Sequence, residues 1–146
     1  MIIDGNKKYL NDIIIVEKTI YPQPWSKNHF ENDLKHPAGY NKLFIIDDKC
    51  VAYLFGYSIE DEFHLNNLSV SKKYQKQGIA TLLLNDVIQY SNNSNISKIL
   101  LEVRCDNYAA INLYEKFKFE KYSIRKDYYK KGKDAFLYTK SIKQIW

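Results

Sequence analysis

Between residues 63 and 103 the hydrophobic period of the chain changes from two to helical and back to two, and this restricts the fold more than any other feature. Phe63, Leu65, Asn67 and Ser69 would share one face of a strand, and His64, Asn66, Leu68 and Val70 the other. Both faces are mixed, as expected where a strand borders a polar cleft. A helix follows over 78–90, with Ile79, Leu82, Leu83 and Val87 on one stripe. Lys98 to Val103 then reads as a strand again. A strand–helix–strand unit of this kind lays its two strands parallel through a right-handed crossover.

The flanking elements complete a layered fold. Asn6 is placed to cap a first helix carrying Leu10, Ile13, Ile14 and Ile20. Ser26, after Pro24-Trp25, is placed to cap a second helix carrying Phe30 and Leu34. Strands are expected over Leu43–Ile46 and Cys50–Ile59, across an Asp47-Asp48-Lys49 turn. Tyr108–Phe117 reads as a helix, and Phe119–Arg125 and Asp134–Ile142 as strands. The order is two helices, three strands, a helix, a strand, a helix and two strands. That predicts an α/β (α+β) fold, a mixed β-sheet flanked by helices. No repeat or linker interrupts the chain, and Ser91–Asn95 is a loop too short to divide it, so 1–146 is expected to be a single domain.

Composition narrows the function classes. No apolar run approaches the roughly 20 residues of a membrane span, and no secretory signal pattern opens the chain. Cys50 and Cys105 lie far apart with no histidine cluster beside them, which argues against a metal site and for a reducing, cytoplasmic setting. The net charge is +5, and the excess is concentrated in 115–143. A solvated basic face is the simplest explanation; an anionic cofactor is a second, and direct nucleic-acid binding is not favoured.

The junction Tyr74-Gln75-Lys76-Gln77-Gly78-Ile79-Ala80 carries the most chemistry. A helix start offers free N–H groups and a partial positive charge, and small residues let a phosphate approach the backbone. The junction matches neither the Walker pattern nor the dinucleotide Gly-x-Gly-x-x-Gly pattern. By itself, a glycine opening a helix is as often a plain turn residue.

Gln75-x-x-Gly78-x-Ala80 between a strand and a helix resembles the acetyl-coenzyme A site of the GCN5-related N-acetyltransferases. The rest of that family's pattern follows in order: Leu101-Glu102-Val103-Arg104, Asp106-Asn107-Tyr108-Ala109-Ala110, Leu113-Tyr114-Glu115-Lys116 and Phe117-Lys118-Phe119. Pro24-Trp25-Ser26 with Phe30, Asp61-Glu62 before Asn67, and Arg125-Lys126-x-Tyr128-Tyr129 with Asp134-Ala135 are similar to the branch that acetylates the N-terminal alanine of ribosomal proteins. Lys118 departs from the pattern, standing where a glycine usually precedes the phenylalanine.

The resemblance implies that the backbone of Leu68, Ser69 and Val70 pairs with the pantetheine arm. It implies that Lys76, Gln77, Gly78, Ile79, Ala80 and Thr81 cradle the pyrophosphate, and that Asn107 also touches the cofactor. Acetyl-coenzyme A is the implied co-substrate, with no metal. Glu102 is the candidate general base and Tyr114 the candidate general acid. An N-terminal amine has a pKa of about 7.7–8.0 against about 10.4 for lysine, so a carboxylate base suits it better by roughly 3.4 kcal/mol. The implied partner is a protein or peptide N-terminus, possibly of a small-subunit ribosomal protein. A small amine (polyamine, amino acid or antibiotic) and a non-catalytic acetyl-coenzyme A-binding module stay open as alternatives. Glu60-Asp61-Glu62 is expected to attract a cationic terminus, Tyr128-Tyr129 to clamp a peptide, and His64 to line the cleft.

Overall fold

Alternating apolar residues and capped helical stripes build one layered sheet, and the computed structural model describes it over residues 1–143. The last three residues of the expected 1–146 domain lie outside the described residues. The elements are β1 (Ile2–Asp4), α1 (Leu10–Ile20), α2 (Lys27–Lys35), β2 (Gly39–Ile46), β3 (Lys49–Ile59), β4 (Glu62–Val70), α3 (Ile79–Asn92), β5 (Lys98–Arg104), α4 (Tyr108–Lys116), β6 (Glu120–Lys130) and β7 (Lys133–Ser141). They form a seven-stranded mixed sheet in the order β1-β2-β3-β4-β5-β7-β6. Only β4 and β5 pair in parallel, through α3, as the crossover unit requires.

Several local expectations change. β1 was not legible in three residues of sequence, and β6 runs five residues past Arg125. Asn6 caps a short 3-10 turn ahead of α1, accepting from Lys8 N at 2.8 Å. Ser26 caps α2, its Oγ accepting from His29 N at 3.1 Å. On α3 the buried stripe is Ile79, Leu83, Leu84, Val87 and Ile88, while Leu82 is half exposed.

The sheet separates two apolar cores. One lies under α3 and α4 and takes Phe63, Leu65, Leu83, Val87, Ile99, Leu101 and Tyr114. The other lies under α1 and α2 and takes Leu10, Ile13, Phe30, Leu43, Tyr53 and Phe55. A β-bulge decides which core each half of β4 meets. Phe55 pairs with Asn67 and Gly56 with Leu65, so Asn66 is an extra residue. Gly56 has no Cβ there because one would fall 2.5 Å from the Phe63 ring. Phe63 and Leu65 therefore face α3, and after the bulge Leu68 and Val70 do so as well. Asn67 and Ser69 turn to α1 instead. The expected common face of Phe63, Leu65, Asn67 and Ser69 is corrected: an inserted residue reverses a period of two.

Candidate functional site

β4 and β5 start side by side and then part. Their last paired residues are Leu65 and Leu101. Beyond that point β4 stays bonded to β3 as far as Val70, and β5 to β7 as far as Arg104. The facing edges of residues 66–70 and 102–104 thus have no strand between them, and the sheet opens into a notch.

One groove enters the notch from the α3 side. It has a volume of about 330 Å³ and is lined by Leu68, Ser69, Val70, Gln75, Lys76, Gly78, Ile79, Ala80, Thr81, Asn107, Ala110, Tyr114 and Tyr21, among others. Its floor follows from the junction chemistry. Lys76 and Gly78 take left-handed backbone, at φ 64° and 86°. The first helical hydrogen bond of α3 runs from Leu82 N to Gly78 O at 3.1 Å. The N–H groups of residues 76–81 have no acceptor among the described residues. A Cβ on Gly78 would meet nothing within 4 Å, so this stretch of backbone faces open space. Gln75 Nε2 donates to Val70 O at 2.9 Å and pins the junction to the end of β4. Gln77 alone of the expected cofactor residues does not line the groove; its Nε2 reaches Lys73 O.

The groove ends in an inner pocket at the notch, where Tyr21, Leu68, Asn107, Ala110 and Tyr114 belong to both. Glu102 lines this pocket too. Leu101 and Val103 are buried against α3, so alternation along β5 turns Glu102 to the other face, into the cleft. Glu102 Oε1 pairs with the Arg125 guanidinium at 3.0 Å. Its Oε2 accepts no hydrogen bond among the described residues.

Tyr114 is held by the end of its own helix. Phe119 N donates to Tyr114 O and Lys118 N to Glu115 O, both at 3.0 Å, which is a Schellman motif. The motif needs left-handed backbone at its penultimate residue, and Lys118 adopts φ 70°. The departure noted in the sequence leaves the turn intact. Phe119 then packs on the Tyr114 ring at 5.6 Å. The Tyr114 hydroxyl has no hydrogen-bond partner among the described residues. Burial, and secondarily Tyr21, pushes its phenol well above the usual tyrosine range, so it keeps its proton at neutral pH. Asn107 caps α4, accepting from Ala110 N at 3.2 Å, and lines the groove from there. Asp106 fixes the same loop by pairing with Arg104 at 3.1 Å and Lys133 at 3.2 Å. Those cations, Arg104 foremost, hold the Asp106 carboxyl down at about 2.

On the far side of the notch the inner pocket widens into an outer vestibule of about 810 Å³. Trp25, Leu65, Asn66, Glu102 and Tyr129 belong to both spaces. Tyr57, His64, Tyr122, Arg125 and Tyr128 line the outer part. Tyr128 and Tyr129 meet edge to face at 5.1 Å, with Arg125 and Arg104 over their rings. Glu60, Asp61 and Glu62 line none of these spaces. Asp61 is tied to Ser97 at 2.5 Å, and Glu62 to Lys98 at 3.1 Å and His64 at 3.3 Å.

Two residues of the inner pocket, Glu17 and Tyr21, were missed in the sequence. Glu17 is 1% exposed. It accepts from Tyr53 Oη at 2.7 Å, Asn67 Nδ2 at 2.9 Å and Trp25 N at 2.9 Å. The signal was a carboxylate one turn after Ile13, on the stripe that α1 buries.

The model of the acetyltransferase (GNAT) family matches residues 10–119. An N-alpha-acetyltransferase of Saccharolobus solfataricus is 31% identical, over 91% of this chain and 87% of its own. The ribosomal protein bS18-alanine N-acetyltransferase of Escherichia coli K12 is 32% identical, over 78% of this chain and 76% of its own. The crystal structure of the ribosomal-protein-S18-alanine N-acetyltransferase from Escherichia coli superposes with a TM-score of 0.92 at 28% identity, covering 100% of this chain and 96% of that one.

Proposed function

Since this chain belongs to the acetyltransferase (GNAT) family, we propose that it moves an acetyl group from acetyl-coenzyme A to the N-terminal α-amine of a protein, a ribosomal protein being the first candidate. The observation that carries this is the passage through the sheet. A groove with free N–H groups at one end and an aromatic vestibule at the other meet at Glu102 and Tyr114.

Two stretches of the groove support acetyl-coenzyme A as the co-substrate. The free N–H groups of residues 76–81 suit a pyrophosphate at the start of α3. The unpaired edge of Leu68, Ser69 and Val70 suits the amides of the pantetheine arm, with Asn107 on the opposite wall. Bound there, acetyl-coenzyme A supplies an activated acyl carbon and a thiolate leaving group. The amine attacks in its neutral form, and as attack makes the nitrogen cationic Glu102 takes a proton from it through a water and passes that proton to solvent. The C–N bond forms as the C–S bond breaks. Tyr114 gives its phenolic proton to the departing sulfur and is then reprotonated from solvent, so the net proton passes from nitrogen to sulfur.

One consideration favours a protein terminus over a small amine, and another favours it over a lysine. The passage narrows from about 810 Å³ at the vestibule to about 170 Å³ at the inner pocket, which suits the end of a chain. The α-amine is also easier to deprotonate than a lysine. Thiol release measured over alanine-initiated peptides, N-blocked lysine peptides and free amines tests the proposal. Turnover on the alanine-initiated peptides is expected, and turnover confined to free amines would overturn it.

A further inference from the structure

Two tyrosines stand where the cofactor groove meets the inner pocket, and their protons are differently committed. Tyr114 has no hydrogen-bond partner among the described residues, so its proton is free for the site. Tyr21 is the end of a chain. Ser69 Oγ donates its single proton to Asn67 Oδ1 at 2.8 Å. With that proton given to Asn67, Ser69 accepts at its 2.9 Å contact with the Tyr21 hydroxyl. The other two contacts of that hydroxyl, Leu68 O at 3.4 Å and Asn67 Oδ1 at 3.5 Å, are also acceptors. In each arrangement the Tyr21 proton points into the protein and the oxygen lone pairs are left for the pocket.

The chain is anchored at the buried Glu17 carboxyl. Asn67 Nδ2 donates to Glu17 Oε1, whose carboxylate meets three donors and no cation among the described residues. Glu17 and Tyr21 are one turn apart at the end of α1, where Tyr21 N donates to Glu17 O at 3.0 Å. Asn67 and Ser69 are two apart on β4, and both reach α1 because the bulge at Asn66 turned them there. Helix and strand are thus cross-linked at two successive points, which fixes the phenol. Burial raises the Tyr21 phenol to about 12, so the proton it gives to Ser69 is present at neutral pH.

We propose that Tyr21 orients the acceptor amine: its oxygen, with the proton turned inward by Ser69, Asn67 and Glu17, accepts an N–H of the substrate and aims the nitrogen lone pair at the acyl carbon. This rests on the α-amine reading above. A neutral primary amine has two N–H groups, one for the Glu102 water and one for Tyr21. A secondary amine has one and cannot serve both.

The test compares a glycine-initiated peptide with its sarcosine-initiated counterpart. In the wild type, kcat/KM should be about tenfold or more higher for glycine, the size of one hydrogen bond. Tyr21→Phe should lower the glycine value about tenfold and the sarcosine value less than about threefold, so that the preference collapses. Ser69→Ala, which leaves the Tyr21 hydroxyl only its two longer acceptors at 3.4 and 3.5 Å, should shrink the preference in the same direction but by less. Equal losses on both peptides in Tyr21→Phe, or no loss on either, would overturn the role of Tyr21. Absence of wild-type turnover on every N-terminal peptide would instead overturn the α-amine reading, and this inference with it.

Discussion

Tyr114 and Glu102 reach the same pocket by different physical routes. Tyr114 is set by a helix end that locks its backbone and packs Phe119 on its ring. Glu102 is set by strand alternation between two buried neighbours. Tyr114→Phe keeps the ring and its packing and removes only the proton, so turnover should fall about a hundredfold or more while acetyl-coenzyme A affinity stays within about twofold. Steady-state kinetics with calorimetry of cofactor binding checks both halves; unchanged turnover would exclude Tyr114 as the acid. Both residues could be picked out in the sequence because each lies in a short pattern with a fixed partner set. Glu17 and Tyr21 could not, since their partners Asn67 and Ser69 are nearly fifty residues away and point to them only because of the bulge. A bulge adds one residue and leaves no sign in composition or spacing.

At the level of elements, the site depends on how α4 begins and ends. Its end places Lys118 in left-handed backbone, which costs an L-residue about 1–2 kcal/mol, less the roughly 0.5–1 kcal/mol that glycine loses on ordering. Lys118→Gly should therefore stabilise the fold by about 1 kcal/mol, raising Tm by about 2–4 °C in thermal unfolding. Its beginning is held by Asp106 between Arg104 and Lys133. The folded pKa of Asp106, about 2, lies below the usual carboxylate value. Its contribution is therefore present above the unfolded pKa and lost as pH falls through the folded one. Asp106→Asn should lower urea stability at pH 6, and the gap to wild type should close toward pH 2. The gap should be modest, because this pair is partly solvent-exposed. A gap independent of pH would show that the ion pairs are not its source.

For the whole molecule, the sequence was most legible where elements are long and periodic. The parallel β4–α3–β5 unit follows from two changes of period, and the order of the major elements follows with it. The notch itself was not readable. It arises because β4 keeps β3 and β5 keeps β7 while the two part from each other, which is a choice of partners and not of residues. The distance of the acidic turn at 60–62 from the notch has a related reason. It leads into β4 at the end where β4 and β5 are still paired. The proposed function follows from that parting, since it joins the groove beside α3 to the vestibule through the sheet. The most direct test is the position of the acetyl group on one peptide that begins with alanine and carries internal lysines. After incubation with acetyl-coenzyme A near neutral pH, fragment-ion mass spectrometry should find the label on the α-amine and none above background on the lysines. Label on the lysines with a free α-amine would contradict the proposed acceptor.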